Sequence, residues 1–201
     1  MKTLTLWIVV VAAVIGSGLS SAKPVIGQPA PSFSVADTRG NQVSLDDYAG
    51  KVVILEWTNH LCPFVEKHYA SGNMQALQEK YTGEGVVWLS VISSAPGKQG
   101  HVSAQEADRL TTSRAAKPSR VLMDAAGTVG RLYAAKTTPH MYIIDSKGTL
   151  RYMGAIDSIN SANVADIERA TNYVEQGMTE LLAGAVISKP VTRAYGCTVK
   201  Y

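Results

Sequence analysis

Residues 52–65 are VVILEWTNHLCPFV. From Val52 to Trp57, apolar side chains occupy both the odd-numbered and the even-numbered positions, as in a strand that is covered on both faces. Glu56 is the exception. Cys62 follows after a short loop, and Pro63 suits the first position of a helix. The stretch therefore predicts a buried strand that leads into a helix, with Cys62 at the junction.

The segments that follow predict a sheet with helices around it. Apolar residues recur at helical spacing after Cys62, with a kink expected at 71–73, and 86–92 is a second buried strand. A strand, a helix and a strand in this order predict two parallel neighbours. Residues 140–145 and 149–153 flank a Ser-Lys-Gly turn and predict a hairpin. The predicted fold class is α/β, with a central mixed β-sheet flanked by helices.

Three other segments carry local signals. Residues 27–50 predict an extended entry followed by a hairpin around 39–41. The polar stretch 93–119 contains Ser103 and Glu106 at the spacing of a capping box, which predicts a short helix. An apolar stripe from Val164 to Leu182 predicts one helix that ends at Gly184.

Composition and charge exclude several classes of protein. The chain has 201 residues, of which 46% are hydrophobic and 17% are charged, so it is neither disordered nor fibrous. The formal net charge of +3 is far below that of proteins that bind phosphate backbones. No nucleic-acid partner is expected.

Residues 1–22 have the features of a secretory signal peptide. Lys2 precedes an apolar run from Leu6 to Ile15, and small residues end the segment at Ala22. The alternative is an uncleaved membrane anchor, but the run is shorter than the roughly 20 residues of a spanning helix. We expect cleavage, a single domain over residues 23–201, a secreted or periplasmic location and no stable membrane insertion afterwards.

Cys62 and Cys197 are the two cysteines of the chain. In an oxidising compartment they can pair, and one bridge between distant positions is as plausibly redox-active as structural. The start of a helix offers N–H groups and a dipole that favour a thiolate at Cys62. Cys62 is therefore the predicted nucleophile, and the alternative is an inert core residue.

Other residues near this junction are candidates for the same chemistry. A desolvated Glu56 would be suited to proton transfer, whereas at a strand edge it would face water. His60 is placed to tune the thiol or to share a metal with it, although no zinc spacing is present. The Thr138–Pro139 bond is either a plain strand entrance or a cis peptide facing the thiol. Phosphate-loop and dinucleotide motifs are missing from the sequence, so no cofactor is expected.

Several motifs together resemble a known family. The GQPAPSF sequence at 27–33, the strand that ends at Trp57, Cys62-Pro63 and Thr138-Pro139 stand in the order and spacing of the redoxin branch of the thioredoxin-like superfamily. This branch includes the alkyl hydroperoxide reductase/thiol-specific antioxidant proteins. The NHLCPFV sequence at 59–65 and GCTVK at 196–200 are similar to a peroxiredoxin-like subgroup that ends in a Gly-Cys motif.

The resemblance implies a thioredoxin-like fold with an N-terminal extension and an insertion near 93–119. It makes Pro139 the candidate cis-proline facing Cys62, and Glu56 the buried acid six residues before the nucleophile. If the C-terminal segment folds over the first helix, Cys197 becomes a resolving thiol. The residues then expected to contact substrate are Thr138, Pro63, Phe64 and His60.

The chain also departs from the family pattern. Val65 stands where thioredoxins have a second cysteine, and Asn59 and Leu55 replace the Thr and Pro of typical peroxiredoxins. The predicted function is an exported thiol oxidoreductase that acts on a protein disulfide or a hydroperoxide and is recycled by a thiol reductant. The alternatives are copper binding by Cys62 with His60, His140 or Cys197, and a redox-inactive binding module.

Overall fold

The structure is a computed structural model, and it describes residues 23–201. The predicted signal peptide, residues 1–22, lies outside the described residues. Within residues 23–201, no helix has the length and apolar character needed to span a bilayer.

The described part of the chain contains both strands and α-helices. The strands are β1 (Ser34–Ala36), β2 (Gln42–Ser44), β3 (Val53–Trp57), β4 (Val87–Ile92), β5 (Arg120–Met123), β6 (Thr137–Thr138), β7 (His140–Ile144), β8 (Leu150–Gly154) and β9 (Cys197–Thr198). The α-helices are α1 (Pro63–Ala70), α2 (Asn73–Gly83), α3 (Ala104–Ser113), α4 (Thr128–Leu132) and α5 (Tyr173–Leu182).

The central sheet has five strands in the order β5-β4-β3-β7-β8. Strand β3 lies parallel to β4, which in turn lies parallel to β5, and β7 runs antiparallel to both β3 and β8. The predicted parallel pair, the predicted hairpin and the mixed sheet are all confirmed. Strand β3 is the middle strand of the sheet, and the loop that follows it leads to Cys62.

Both faces of the sheet are covered, which explains the apolar residues on both parities of β3. Ile54 packs on one face with side chains of α1, α2 and α5. Val53, Leu55 and Trp57 pack on the other face with the N-terminal extension and α4. Burial of large apolar side chains on two faces is the main stabilising contribution to such a sheet.

Two helix boundaries differ from the predictions. The predicted kink at 71–73 is a full break, because Gly72 adopts φ +76° between α1 and α2. The single helix predicted from Val164 to Gly184 is wrong at its start: a 3-10 turn covers Val164–Asp166, and α5 begins only after Asn172. The Asn172 side chain accepts a hydrogen bond from the Glu175 N–H and so caps the helix there.

The 93–119 insertion forms α3 and its flanking loops at the β5 edge of the sheet. Ser103 caps α3 by accepting a hydrogen bond from the Glu106 N–H, whereas the Glu106 carboxylate pairs with Arg109 instead of completing the predicted box. Ala107 packs against Val121 of β5. Gln99 of the insertion donates from Nε2 to the Leu61 carbonyl at 3.4 Å, so the insertion lies beside the loop that leads to Cys62.

Candidate functional site

Cys62 is the N-cap residue of α1, and its side chain is fully buried. The loop before it is held by Asn59, whose carbonyl accepts from the Cys62 N–H at 3.0 Å and whose side chain accepts from the Leu61 N–H at 2.9 Å. Pro63 occupies the first helical position as predicted, and it is exposed. Cys62 is therefore fixed at the start of a helix by contacts on both sides.

Thr138 and Pro139 lie against this thiol. The Thr138–Pro139 peptide bond is cis, and the Thr138 carbonyl oxygen lies 3.1 Å from Cys62 Sγ, where it accepts a hydrogen bond from the thiol. The two positions are 76 residues apart in sequence. The cis bond facing Cys62, which the family resemblance implied for Pro139, is confirmed.

Cys197 completes the group from the C-terminal segment. Strand β9 pairs antiparallel with β6, and Cys197 lies opposite Thr138. The Cys197 N–H is directed at Cys62 Sγ at a distance of 3.4 Å. Both cysteines are free thiols, and the two distant positions come together, which the sequence analysis left as one of two alternatives.

Gly196 allows this close approach. Its φ is +125°, and a Cβ atom there would lie 2.0 Å from the Thr138 carbonyl oxygen. Only glycine combines that backbone conformation with the missing side chain. The Gly-Cys motif noted in the sequence thus has a physical cause in the contact between β9 and β6.

The two thiols differ in acidity. Burial alone raises the pKa of Cys62, but hydrogen bonds from the Cys197 thiol, the Thr138 side chain and the N–H groups of Cys197 and Val65 outweigh it, and the net pKa lies below its usual value. Burial and the neighbouring Cys62 raise the pKa of Cys197 to about 11, against the opposing effect of Lys200. Of the two thiols, Cys62 is therefore the one that loses its proton more readily.

Glu56 is fully buried on β3, so the water-facing alternative is wrong. Its carboxylate accepts four hydrogen bonds, at 2.8–3.1 Å, and the donors are Tyr69, Gln78, Trp88 and Ser90. These four hydrogen bonds replace those that water would make with an exposed carboxylate. Its proton-transfer role remains a prediction, and these contacts identify it as an anchor between β3, β4, α1 and α2.

The other predicted substrate-contacting residues surround the thiol on different sides. His60 lies half-buried in the loop before Cys62, and burial together with Arg114 lowers its pKa. It lines a small cleft of about 20 Å³ with residues of the insertion. Phe64 is half-buried, lies two residues after Cys62 in α1, and packs edge-to-face on Tyr195 with ring centroids 5.8 Å apart.

A buried polar cluster below the thiols was missed by the sequence analysis. Lys67 and His68 of α1 are both buried, and they face Asp157 and Tyr195. The sequence feature that could have identified them is their spacing. Lys67 and His68 lie three and four residues after Phe64, on the same face of α1. Charged residues on a helix are ordinarily assigned to solvent, which is why they were passed over.

The copper-binding alternative depends on how the metal-ligating side chains are grouped. Among residues 23–201, no three or more His, Cys, Asp and Glu side chains are grouped so as to hold a metal ion. His140, which the copper alternative included, lines a separate groove and accepts from the Lys136 N–H at 3.3 Å through Nδ1. Burial lowers the pKa of His140 to about 4.

Comparison with known proteins places this geometry in context. The model of the AhpC/TSA family matches residues 26–153. An uncharacterized conserved protein from Geobacillus kaustophilus has the same fold, with a TM-score of 0.77 at 23% identity over 88% of this chain and 92% of its own. A hypothetical protein from Sinorhizobium meliloti 1021 is similar, with a TM-score of 0.74 at 19% identity over 90% and 96%.

A third solved structure carries a functional description. A putative thiol:disulfide interchange protein, DsbE, from Chlorobium tepidum aligns with a TM-score of 0.53 at 25% identity, over 65% of this chain and 85% of its own. No curated protein matches the chain significantly. These similarities support a thioredoxin-like fold and the general class of thiol oxidoreductases. Cys62 and Pro139 lie within the matched range, whereas Cys197 lies beyond it.

Proposed function

Because the chain belongs to the AhpC/TSA family, we propose that it is an exported thiol oxidoreductase in which Cys62 is the nucleophile and Cys197 the resolving thiol. The observation that carries the proposal is the 3.4 Å contact between the Cys197 N–H and Cys62 Sγ. It brings a second thiol to a nucleophile whose pKa is lowered, with no second cysteine in α1. Export rests on the signal-peptide features of residues 1–22.

The reaction proceeds in two steps. The Cys62 thiolate attacks one oxygen of a hydroperoxide, the O–O bond breaks, and the leaving alkoxide or hydroxide takes up a proton, which leaves Cys62 as a sulfenic acid. The sulfur of Cys197 then attacks this sulfenic acid, and water leaves as the disulfide forms. A thiol reductant supplies two electrons to restore both thiols.

A small hydroperoxide fits the site better than a protein disulfide does. Strand β9 already pairs with β6, which is the edge where an extended peptide would hydrogen-bond beside Pro139. A protein substrate would have to replace those backbone contacts, whereas a small oxidant needs only a path to the sulfur. In this scheme Thr138, Pro63, Phe64 and His60 surround the oxidant.

The test is thiol counting on the purified, fully reduced protein before and after one equivalent of hydrogen peroxide, with mass mapping of the products. Loss of both thiols to a Cys62–Cys197 bridge that dithiothreitol reverses is the expected result. Cys62→Ser should lose all reaction, and the matched Cys197→Ser variant should stop at an oxidised Cys62 that forms no internal bridge.

Two results would overturn the proposal. If both thiols persist and Cu(I) binds tightly, the protein is a metal-binding member of the fold. If both persist and no metal binds, it is a redox-inactive binding module.

A further inference from the structure

We propose that Tyr195 is the positioning residue that holds Cys197 against Cys62, through a buried contact with Asp157. This inference rests on the proposed function, because it concerns the resolving step. Tyr195 is 7% exposed and lies two residues before Cys197. The evidence is the set of contacts that its hydroxyl group and its ring make with α1 and with the 155–159 loop.

The hydroxyl end of Tyr195 is held by a buried ion pair. Its O–H donates to Asp157 Oδ1, and Lys67 Nζ lies 3.0 Å from Asp157 Oδ2. Lys67 Nζ also donates to the Ile159 carbonyl at 3.3 Å, and the Ile159 N–H donates to Asp157 Oδ1 at 2.9 Å. His68 Nε2 lies 3.5 Å from the Tyr195 oxygen. A buried pair with its remaining donors and acceptors satisfied fixes the geometry of its partner.

The ring of Tyr195 is held as well. Phe64 packs edge-to-face on it at an interplanar angle of 61°, and Lys67 Nζ lies 5.9 Å from its centroid. Phe64 and Lys67 both belong to α1, the helix that begins at Cys62. One rigid element therefore carries both the nucleophile and most of the contacts that hold Tyr195.

Gly196 links the position of Tyr195 to the position of the Cys197 thiol. It is the one residue between Tyr195 and Cys197, and its contact with the Thr138 carbonyl oxygen leaves no room for a side chain. With Tyr195 fixed on α1 and Cys197 paired to β6, the sulfur of Cys197 is confined near Cys62. Confinement raises the effective concentration of the resolving thiol, which accelerates condensation with a sulfenic acid.

The test measures how Cys62 sulfenic acid partitions between Cys197 and an external trap. Reduced wild-type protein, Tyr195→Ala and Tyr195→Phe are each treated with one equivalent of hydrogen peroxide in the presence of dimedone. The dimedone adduct on Cys62 and the Cys62–Cys197 bridge are then quantified by mass spectrometry. Tyr48→Ala and Tyr48→Phe are the matched controls, because Tyr48 lies beside the opposite face of the sheet.

We expect wild-type protein and both controls to form the bridge. In Tyr195→Ala the ratio of adduct to bridge should rise about tenfold or more, as expected when an effective concentration is lost. Tyr195→Phe keeps the ring on Phe64 but loses the bond to Asp157, so it should give an intermediate ratio. If Tyr195→Ala does not fold, the comparison of Tyr195→Phe with the wild type is the test.

The outcomes separate this inference from the proposed function. A wild-type protein that forms no bridge would overturn the resolving role of Cys197 and this inference with it. A bridged wild type with the same ratio in the folded Tyr195 variants would overturn the positioning role alone. As a second readout, the equilibrium of the bridge in glutathione buffers should shift toward the dithiol in Tyr195→Ala and stay unchanged in Tyr48→Ala.

Discussion

The backbone N–H of Cys197 points at the sulfur of Cys62 across 3.4 Å. A backbone donor aimed at sulfur favours the thiolate, and this donor belongs to the residue whose own thiol is the proposed reaction partner. The pairing of β6 with β9 fixes this geometry. In the proposed reaction, activation of Cys62 and its resolution by Cys197 would both depend on the same short strand, β9.

Replacement of Cys197 should change the acidity of Cys62. The rate at which iodoacetamide alkylates Cys62 follows the thiolate fraction, so in the wild type the pH midpoint of this rate should lie below that of an unperturbed cysteine. Cys197→Ala removes the thiol that donates to Cys62, so the midpoint should move to higher pH. The midpoint, unlike the plateau rate, does not depend on how exposed the sulfur is. An identical midpoint in both proteins would contradict the assignment.

The protein should lose stability in mild acid because of two buried histidines. Burial lowers the pKa of both His68 and His140 to about 4. Between about pH 6.5 and pH 4 the unfolded chain therefore binds more protons than the folded one, and the free energy of unfolding falls as the pH falls. Each histidine contributes up to about 1.4 kcal/mol per pH unit in this window.

Urea denaturation at a series of pH values measures that slope. His140→Gln should flatten it, whereas His101→Gln, at an exposed position, should not. Equal slopes in wild type and His140→Gln would show that His140 titrates normally.

Gly196→Ala should separate β9 from β6. The new Cβ atom would meet the Thr138 carbonyl oxygen at 2.0 Å, at a φ that alanine rarely adopts. We expect faster labelling of Cys62 by thiol reagents and a loss of about 1–3 kcal/mol in the free energy of unfolding. Gly184→Ala is the control, since Gly184 has φ +75° with nothing within 4 Å. If both variants label at the wild-type rate, the close contact does not control access.

Glu56→Gln should destabilise the fold. The carboxylate accepts from Tyr69, Gln78, Trp88 and Ser90, and an amide presents its own N–H group to at least one of these donors. The expected loss in the free energy of unfolding is about 3 kcal/mol, measured by urea denaturation, with exposed Glu84→Gln as control.

The same variant tests the proton-transfer role predicted for Glu56. In the folded Glu56→Gln protein, a shift in the pH midpoint of Cys62 alkylation would support that role. An unchanged pH midpoint of Cys62 alkylation would leave Glu56 with a structural role only.

The centre of the fold could be predicted from sequence because its signals are local. The strand from Val53 and the helix at Pro63 follow from apolar residues on both parities and a proline at a helix start, and together they locate Cys62. The apolar stripe of 164–182 misled the prediction, because periodicity alone does not distinguish a helix from a 3-10 turn followed by a capped start at Asn172.

The rest of the site depends on contacts between distant parts of the chain. Thr138 and Cys197 are 59 residues apart, and neither sequence window shows a strand signal, since β6 and β9 have two residues each. Lys67 and Asp157 are 90 residues apart, and each by itself has the character of a surface residue. Pairings of this kind are fixed by tertiary structure, so the residues around each partner in the sequence do not reveal them.

Cys62 is completely buried, with Tyr195 and Cys197 packed against it, and this has a kinetic consequence. If the path to the sulfur opens only when the 195–198 segment lifts, the observed rate constant is the intrinsic one multiplied by the lifted fraction. The ratio of labelling rates for the native and urea-unfolded protein, at one pH and corrected for thiolate fraction, then gives the free energy of lifting. A slow reaction with an oxidant would measure the population of that open state, and it would say little about the nucleophilicity of the thiolate.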